Sequence, residues 1–394
     1  MNYLYNISIW FYVVAVYFAS LFSSKAKLWV IGRKNIFQKI KQNIKNQKNI
    51  VWFHCASLGE FEQGKPIIQA YKVKYPTHKI LLTFFSPSGY EIGKNTPLAD
   101  FVSYLPADTK ANAKQFIQII NPIKAIFIKY EFWFNYMNKC KKQNIPFYSV
   151  SCIFRKEQPF FKYKWFTKQL SNVTHFFVQN KISADLLKSI KLSNTTISGD
   201  SRFDSVLATS KNPKKFPLIE DFCKFKPTII CGSTWPKDEI LIAKHIKEHP
   251  QYNYIIVPHE LTYISKLQKQ TNALLFSKST KQNILTSNVL IIDSIGILSH
   301  IYSYGTIAYI GGGFGAGIHN ILEGAAFGLP LIFGPNYKKF TEAKNLIALG
   351  GSISIANYQE LNLAIKHFNS FDRKISIDYI RNQSGATEII LESL

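Results

Sequence analysis

Acidic residues are scarce. The 394-residue chain holds 24 Asp and Glu against 48 Lys and Arg, and the resulting +24 demands an anionic neighbour: nucleic acid, a membrane surface or a phosphorylated substrate. Cysteine is sparse too. The five present (Cys55, Cys140, Cys152, Cys223, Cys231) are odd in number and form no C-x-x-C or Cys/His ligand spacing, which argues against a disulfide framework and structural zinc and fits a reducing cytoplasm. No solenoid-length repeat and no collagen-like or low-complexity bias is visible, and 46% hydrophobic residues argue against wholesale disorder. The pattern G-x-x-x-x-G-K-[ST] is missing, so a P-loop is excluded. At roughly 100–200 residues per domain, the length predicts two or three domains.

Charged side chains are absent from residues 1–24, and the stretch 7–22 is almost wholly apolar with aromatics at both edges. About 20 helical residues cross a ~30 Å hydrocarbon core, so the segment predicts an N-terminal membrane anchor over 1–24, with a docked or interfacial helix as the alternative. A cleaved signal peptide is disfavoured because the basic n-region is missing. Lys25, Lys27, Arg33, Lys34, Lys39 and Lys41 follow at once, and the positive-inside rule then places the rest of the chain in the cytoplasm, against the inner leaflet of the cell membrane. The charge is uneven. Residues 1–205 hold 29 basic and 10 acidic residues, whereas residues 206–394 hold 19 and 14, so the anionic partner is expected at the N-terminal half.

From residue 50 onward, β-branched and aromatic runs alternate with amphipathic stretches, the pattern of parallel sheets covered by helices. The first set of strand-like runs is 50–55, 79–85, 101–105, 125–129, 147–150, 175–178 and 195–198, and the second is 228–231, 254–257, 273–276, 289–292, 306–310, 331–333 and 352–355. A Pro-containing basic stretch, 209–227, separates them as a linker with a short helix. The expected architecture is α/β with two Rossmann-like domains, 25–208 and 228–370, followed by a C-terminal helix over 371–394. Ligands of such sheets sit beyond the carboxyl ends of the strands.

Three strand ends in the first half carry candidates. Glu60 follows Ser57 by three residues, which suits either an S-x-x-E capping box or a general base in a cleft, with Gly59 permitting close approach. Glu131 opens the apolar Phe132-Trp133 segment and is costly to bury unless paired, functional or placed at a helix N-terminus. Arg202, within Gly199-Asp200-Ser201-Arg202-Phe203-Asp204, offers a fork for phosphate or carboxylate, or an ion pair with Asp200 or Asp204. In the second half, Ser233 and Pro258-His259 end strands. The strongest signal is Gly311-Gly312-Gly313 followed by His319, Asn320, Ile321, Leu322 and Glu323. There a strand ending in bare backbone before a helix near 319 or 320 predicts N–H groups converging on an anion, and Glu323 is placed to accept from paired ribose hydroxyls. The loose G-x-G-x-x-A match lies far from the first βα unit, which argues against an oxidoreductase.

The ordered set formed by ASLGE at 56–60, Glu131-Phe132-Trp133, GDSRFD at 199–204, CGST at 231–234, VPHE at 257–260 and the glycine-rich run at 311–335 resembles the Kdo (3-deoxy-D-manno-octulosonic acid) transferases of lipopolysaccharide assembly. The resemblance covers nearly the whole chain. It implies a GT-B architecture with an N-terminal membrane anchor, and an inverting transfer of Kdo from CMP-Kdo to the 6′-hydroxyl of an anionic lipid A precursor (lipid IVA), releasing CMP, with no cofactor and no metal. It also implies Glu60 as general base, Glu131 and Arg202 as transition-state stabilisers, and substrate or CMP contacts at Ser233, Pro258, His259, Ile295, Gly296, Ile297, Gly312, Gly313, His319, Asn320, Ile321, Leu322 and Glu323. Arg202 stands where many members have Lys, and Pro258-His259 where many have Pro-Arg-His. Gly296-Ile297 replaces a Gly-Glu. The rivals are another GT-B glycosyltransferase using a nucleotide sugar and a membrane lipid, and a membrane-tethered basic nucleic-acid binder. The second is disfavoured because the lysines are scattered and no RNA-binding motif is present.

Overall fold

The apolar runs become strands because each has both faces covered. In Ile50–Cys55 all six residues are buried: Ile50 and Trp52 join one core while Val51, Phe53 and Cys55 join the other, the signature of a parallel sheet between helical layers. The computed structural model describes residues 1–394 and contains fourteen strands. They are β1 Ile50–Cys55, β2 Lys79–Phe84, β3 Phe101–Tyr104, β4 Lys124–Ile128, β5 Phe147–Cys152, β6 His175–Val178, β7 Thr195–Ile197, β8 Thr228–Thr234, β9 Asn253–Pro258, β10 Leu274–Leu275, β11 Val289–Ile291, β12 Ile307–Ile310, β13 Leu331–Phe333 and β14 Ser352–Ser354. The chain divides into two compact units: unit 1 is Met1–Ser205 with Ser384–Leu394, and unit 2 is Val206–Gln383.

Unit 1 is a seven-stranded parallel sheet in the order β3-β2-β1-β4-β5-β6-β7. Winding runs outward from β1 through β2 to β3, then restarts at β4 on the other side of β1. The helix Leu58–Lys74 covers one face through Phe61, Ile67, Ile68 and Tyr71, joined by Ile390 and Leu391 of the last helix. The helices Ile36–Asn43, Lys110–Ile120 and Phe134–Lys142 cover the other. Unit 2 repeats the scheme as β10-β11-β9-β8-β12-β13-β14, also parallel throughout. Each sheet therefore has a switch point where winding reverses, between β1 and β4 in unit 1 and between β8 and β12 in unit 2. Crevices open beyond the strand ends at such points.

The N-terminal expectation is corrected. No helix is long and apolar enough to cross a membrane. The first helix, Asn2–Ala19, spans only about 27 Å at 1.5 Å per residue. It ends in a turn, after which Ser23 caps the helix Ser24–Gly32 by accepting from the Ala26 amide at 3.4 Å. One side of the first helix is bonded to unit 1: the Tyr5 hydroxyl donates to Asp108 at 2.5 Å, Asn6 accepts from Asn135 at 3.1 Å, and Asn2 accepts from the Trp165 indole at 2.8 Å. Arg33, expected among the basic groups facing a leaflet, is instead structural. Its guanidinium lies 3.8 Å over the Trp29 ring and donates to the carbonyls of Leu105 and Phe85, and burial lowers its pKa to about 9.

The segment expected as a linker, 209–227, contains the helix Pro217–Cys223, whose Ile219 and Phe222 are buried. After residue 371 there are two helices, Lys374–Gln383 and Ala386–Glu392, broken at Gly385 with φ +112°.

Candidate active site

Glu60 and Lys129 meet at the unit 1 switch point, with Glu131 in electrostatic reach of both. β1 ends at Cys55, and Ser57 then opens the helix Leu58–Lys74, so that Glu60 stands in the first turn. Glu60 Oε2 accepts from the Ser57 amide at 3.0 Å and from the Ser57 hydroxyl. The capping role is real, and it occupies one oxygen. Glu60 Oε1 faces the Lys129 ammonium at 3.7 Å. β4, the neighbour of β1, ends at Ile128, and Lys129-Tyr130-Glu131 follow.

Two aromatic anchors fix the Glu131 loop. Phe132 is buried against Phe154 and Phe160, and the Trp133 indole donates to His54 Nε2 at 3.3 Å. His54 is fully buried in β1 and bonds Thr83 through Nδ1 at 2.9 Å; burial lowers its pKa to about 3, so it serves as a neutral acceptor. The Glu131 carboxyl is pushed up to about 7, first by burial and second by the charge of Glu60, with Lys129 opposing. Burial thus favours the protonated form of the Glu131 carboxyl.

Arg202 is held by Asp200, as the ion-pair alternative predicts: Nε donates at 2.8 Å and Nη2 lies 2.7 Å from the same carboxylate oxygen. Asp204 has a different task. It accepts from the amides of Gly385 and Thr387 at 2.6 and 2.7 Å and so caps the final helix. Ser201 ties this segment to the Glu60 helix by donating to the Gln63 carbonyl at 2.8 Å.

The unit 2 switch point is built from rings and glycine backbone. The Trp235 ring stacks on His259 at 4.8 Å and His259 on His319 at 4.4 Å, while the Trp235 indole donates to His319 Nε2 at 2.9 Å. Burial, then the neighbouring His259, lowers His319 to about 4, so it is neutral near pH 7. Gly311 is required by close packing, because a Cβ there would lie 2.2 Å from the Ser233 carbonyl oxygen. Ser233 itself has φ +53°, and the β8–β9 register shifts across it.

The expected anion cradle is corrected in part. The Gly312 amide donates to buried Asp238 at 2.9 Å, and those of Gly311, Gly315, Gly317 and His319 donate to backbone carbonyls. The following helix starts at Leu322 and runs five residues, Leu322–Ala326, so it supplies no strong dipole. Asn320 bonds Glu323 at 3.0 Å and accepts from the Leu322 amide. Pro258 ends β9 in the core, Gly313 and Ile321 are buried, and Ile295, Gly296 and Ile297 form a turn after β11 in which Ile295 is 81% exposed.

Sequence reasoning missed Lys129, Trp235 and Asp238. Lys129 was read as the last residue of a strand; the signal lay in the order of strands, since the first and fourth of a doubly wound sheet are neighbours. Asp238 was legible only as the third residue of a helix opened by Pro236, yet it joins the Tyr309 hydroxyl and the Trp235 and Gly312 amides.

Two doubly wound parallel sheets, one presenting carboxyl and ammonium groups and the other rings and glycine backbone, make a GT-B-like fold. The same fold is found in the UDP-GlcNAc 2-epimerase of Neisseria meningitidis, with a TM-score of 0.61 at 16% identity over 87% of this chain and 98% of that one. The family model for 3-deoxy-D-manno-octulosonic-acid transferase matches residues 32–205. Proteins named 3-deoxy-D-manno-octulosonic acid transferase are similar over most of their length: that of Aquifex aeolicus is 26% identical across 86% of this chain and 91% of its own, and that of Rickettsia bellii 28% identical across 89% and 87%. The chain is a glycosyltransferase similar to the Kdo transferases over most of its length.

Proposed function

We propose that this enzyme moves Kdo from CMP-Kdo to the 6′-hydroxyl of a lipid A precursor with inversion. The observation that carries the reading is the Glu60, Lys129 and Glu131 set at the unit 1 switch point, where a carboxylate oxygen remains for a substrate proton. Glu60 Oε1 takes the proton of the acceptor hydroxyl as its oxygen bonds to the Kdo anomeric carbon. The bond from that carbon to the CMP phosphate oxygen breaks, and CMP leaves with the electron pair. Glu131, holding its proton, donates a hydrogen bond to developing negative charge, and Arg202, fixed by Asp200, supplies a cation of set orientation. The Trp235, His259 and His319 rings offer a stacking wall for the cytosine base. The reaction needs no metal or cofactor, so turnover is expected to be unchanged by EDTA.

The acceptor is a membrane lipid, and unit 1 carries a surface suited to meeting it. Along the first helix and the turn after it, Tyr3, Leu4, Ile7, Trp10, Phe11, Tyr17, Phe18, Leu21 and Phe22 are exposed, Phe22 to 92%, and Lys25, Lys27, Lys34, Lys39 and Lys41 lie exposed nearby in the chain. An apolar face followed by ammonium groups suits the interface of an anionic cytoplasmic leaflet of the inner membrane. Mass spectrometry of a tetra-acylated lipid A precursor incubated with enzyme and CMP-Kdo tests the function. A gain of one or more Kdo residues is expected; an unchanged acceptor, or a gain only with a nucleoside diphosphate sugar, would overturn it.

A further inference from the structure

Lys129 occupies a backbone conformation that its residue type does not favour. Its φ is +63°, in the left-handed region that non-glycine residues adopt only where the surroundings impose it. β5 imposes it. The Lys129 amide donates to the Val150 carbonyl at 2.7 Å, and the Lys129 carbonyl accepts from the Ser149 hydroxyl at 2.7 Å and from the Cys152 thiol at 3.1 Å. With its backbone fixed in this way, Lys129 places Nζ 3.7 Å from Glu60 Oε1. That separation exceeds a hydrogen bond, so a substrate hydroxyl can reach Oε1 without displacing the ammonium, while the attraction between the charges persists. The two side chains are only 25% and 17% exposed, which limits screening by salt.

We propose that Lys129 is a positioning residue of the transfer reaction, keeping Glu60 Oε1 ionised and oriented so that the proton of the Glu60 and Glu131 pair resides on Glu131. This rests on the reading of Glu60 as the base. Other groups in electrostatic reach include Cys55 at the end of β1, which feels Glu60 and Glu62, and Tyr5 and Tyr12 of the first helix, which feel Glu131, Tyr12 also feeling Arg33; burial holds these three neutral, and Arg202, set by Asp200, is the other cation placed in the site. The ammonium of Lys129 is a positive charge directly beside Glu60 Oε1, and its removal raises the pH at which the base becomes available.

Lys129→Asn separates charge from backbone, because Asn tolerates the left-handed conformation. Lys129→Arg retains the charge. With CMP-Kdo and the lipid acceptor, Lys129→Asn is expected to lower kcat about 10–100-fold, leave KM for CMP-Kdo within about twofold, and move the acidic limb of the kcat profile up by about one pH unit, the scale set by an opposite charge within 4–6 Å of a carboxylate. Lys129→Arg is expected to restore the limb. An unmoved limb, or a raised KM for CMP-Kdo with kcat intact, overturns the proposal. A second measurement does not depend on turnover: carbon-13 titration of the Glu60 carboxyl in resting wild type and Lys129→Arg, compared with Lys129→Asn or, should that variant not fold, Lys129→Gln. A Glu60 midpoint unchanged by loss of the ammonium refutes the coupling even if no Kdo transfer is found in the wild type, the outcome that would instead refute the proposed function.

Discussion

The two switch points share a topology and differ in chemistry. In unit 1 the residues after the first and fourth strands are Ser57 to Glu60 and Lys129 to Glu131, which bring two carboxyls and an ammonium together. In unit 2 the equivalent positions after β8 and β12 are Trp235 and Gly311 to His319, which bring together an indole, two imidazoles and close-packed backbone. A positioned carboxylate suits proton transfer, whereas a stack of rings suits a planar base. The fold supplies the crevice twice, and the side chains at two strand ends in each copy decide which task it performs.

The widest separation between the two sites is expected from substituting one residue in each and comparing kcat with nucleotide affinity. Glu60→Gln is expected to lower kcat by about 10²–10⁴-fold, the range for a positioned general base, with the Kd for CMP by calorimetry within about twofold. On the proposed acceptor side, Phe18→Asp with Phe22→Asp is expected to weaken sedimentation with anionic vesicles by about 100-fold or more, since two aromatic side chains at about 1.5–3 kcal/mol each no longer enter the interface. Unchanged sedimentation removes that face from the account.

Glu131 gives a smaller effect that depends on pH. Its carboxyl is raised from 4.5 to about 7 in the fold, by burial first and Glu60 second, so its contribution to stability is fully present below pH 4.5 and lost as pH rises through 7. Glu131→Gln is therefore expected to gain about 1–3 kcal/mol relative to wild type between pH 5 and pH 8 in denaturant titrations, and an equal difference at both pH values contradicts the protonated state. The smallest effect belongs to unit 2. Trp235→Ala is expected to weaken CMP about tenfold, matching one stacked pair at 0.5–1.5 kcal/mol, and to leave kcat at saturating donor within a few-fold. A loss of kcat with unchanged affinity would reverse the division of labour.

Much of the architecture was legible because it rests on alternation of apolar runs, and all fourteen runs are strands within a few residues. The candidate site was legible where a carboxylate follows the end of an apolar strand, as Glu60 and Glu131 do. It was not legible where meaning depends on contacts distant in sequence. Lys129 reaches Glu60 only because β4 pairs with β1, and its left-handed backbone is enforced by Ser149, Val150 and Cys152. The glycine run misled for a physical reason: Gly311 is needed for the approach of β8 to β12, and the Gly312 amide that seemed open to an anion is taken by Asp238, itself hidden in the core. The first helix misled similarly, since composition alone does not distinguish an apolar segment that spans a bilayer from one bonded along one side through Asn2, Tyr5 and Asn6.

The proposed division between a proton-transferring unit 1 and a nucleotide-holding unit 2 is tested most directly by rapid-quench single turnover, with enzyme in excess over CMP-Kdo and the lipid acceptor saturating. Wild-type enzyme is expected to convert the bound donor to CMP and Kdo-bearing lipid in one phase, and Glu60→Gln to bind the donor equally while forming product at least 100-fold more slowly. A Glu60→Gln rate within a few-fold of wild type would contradict the account.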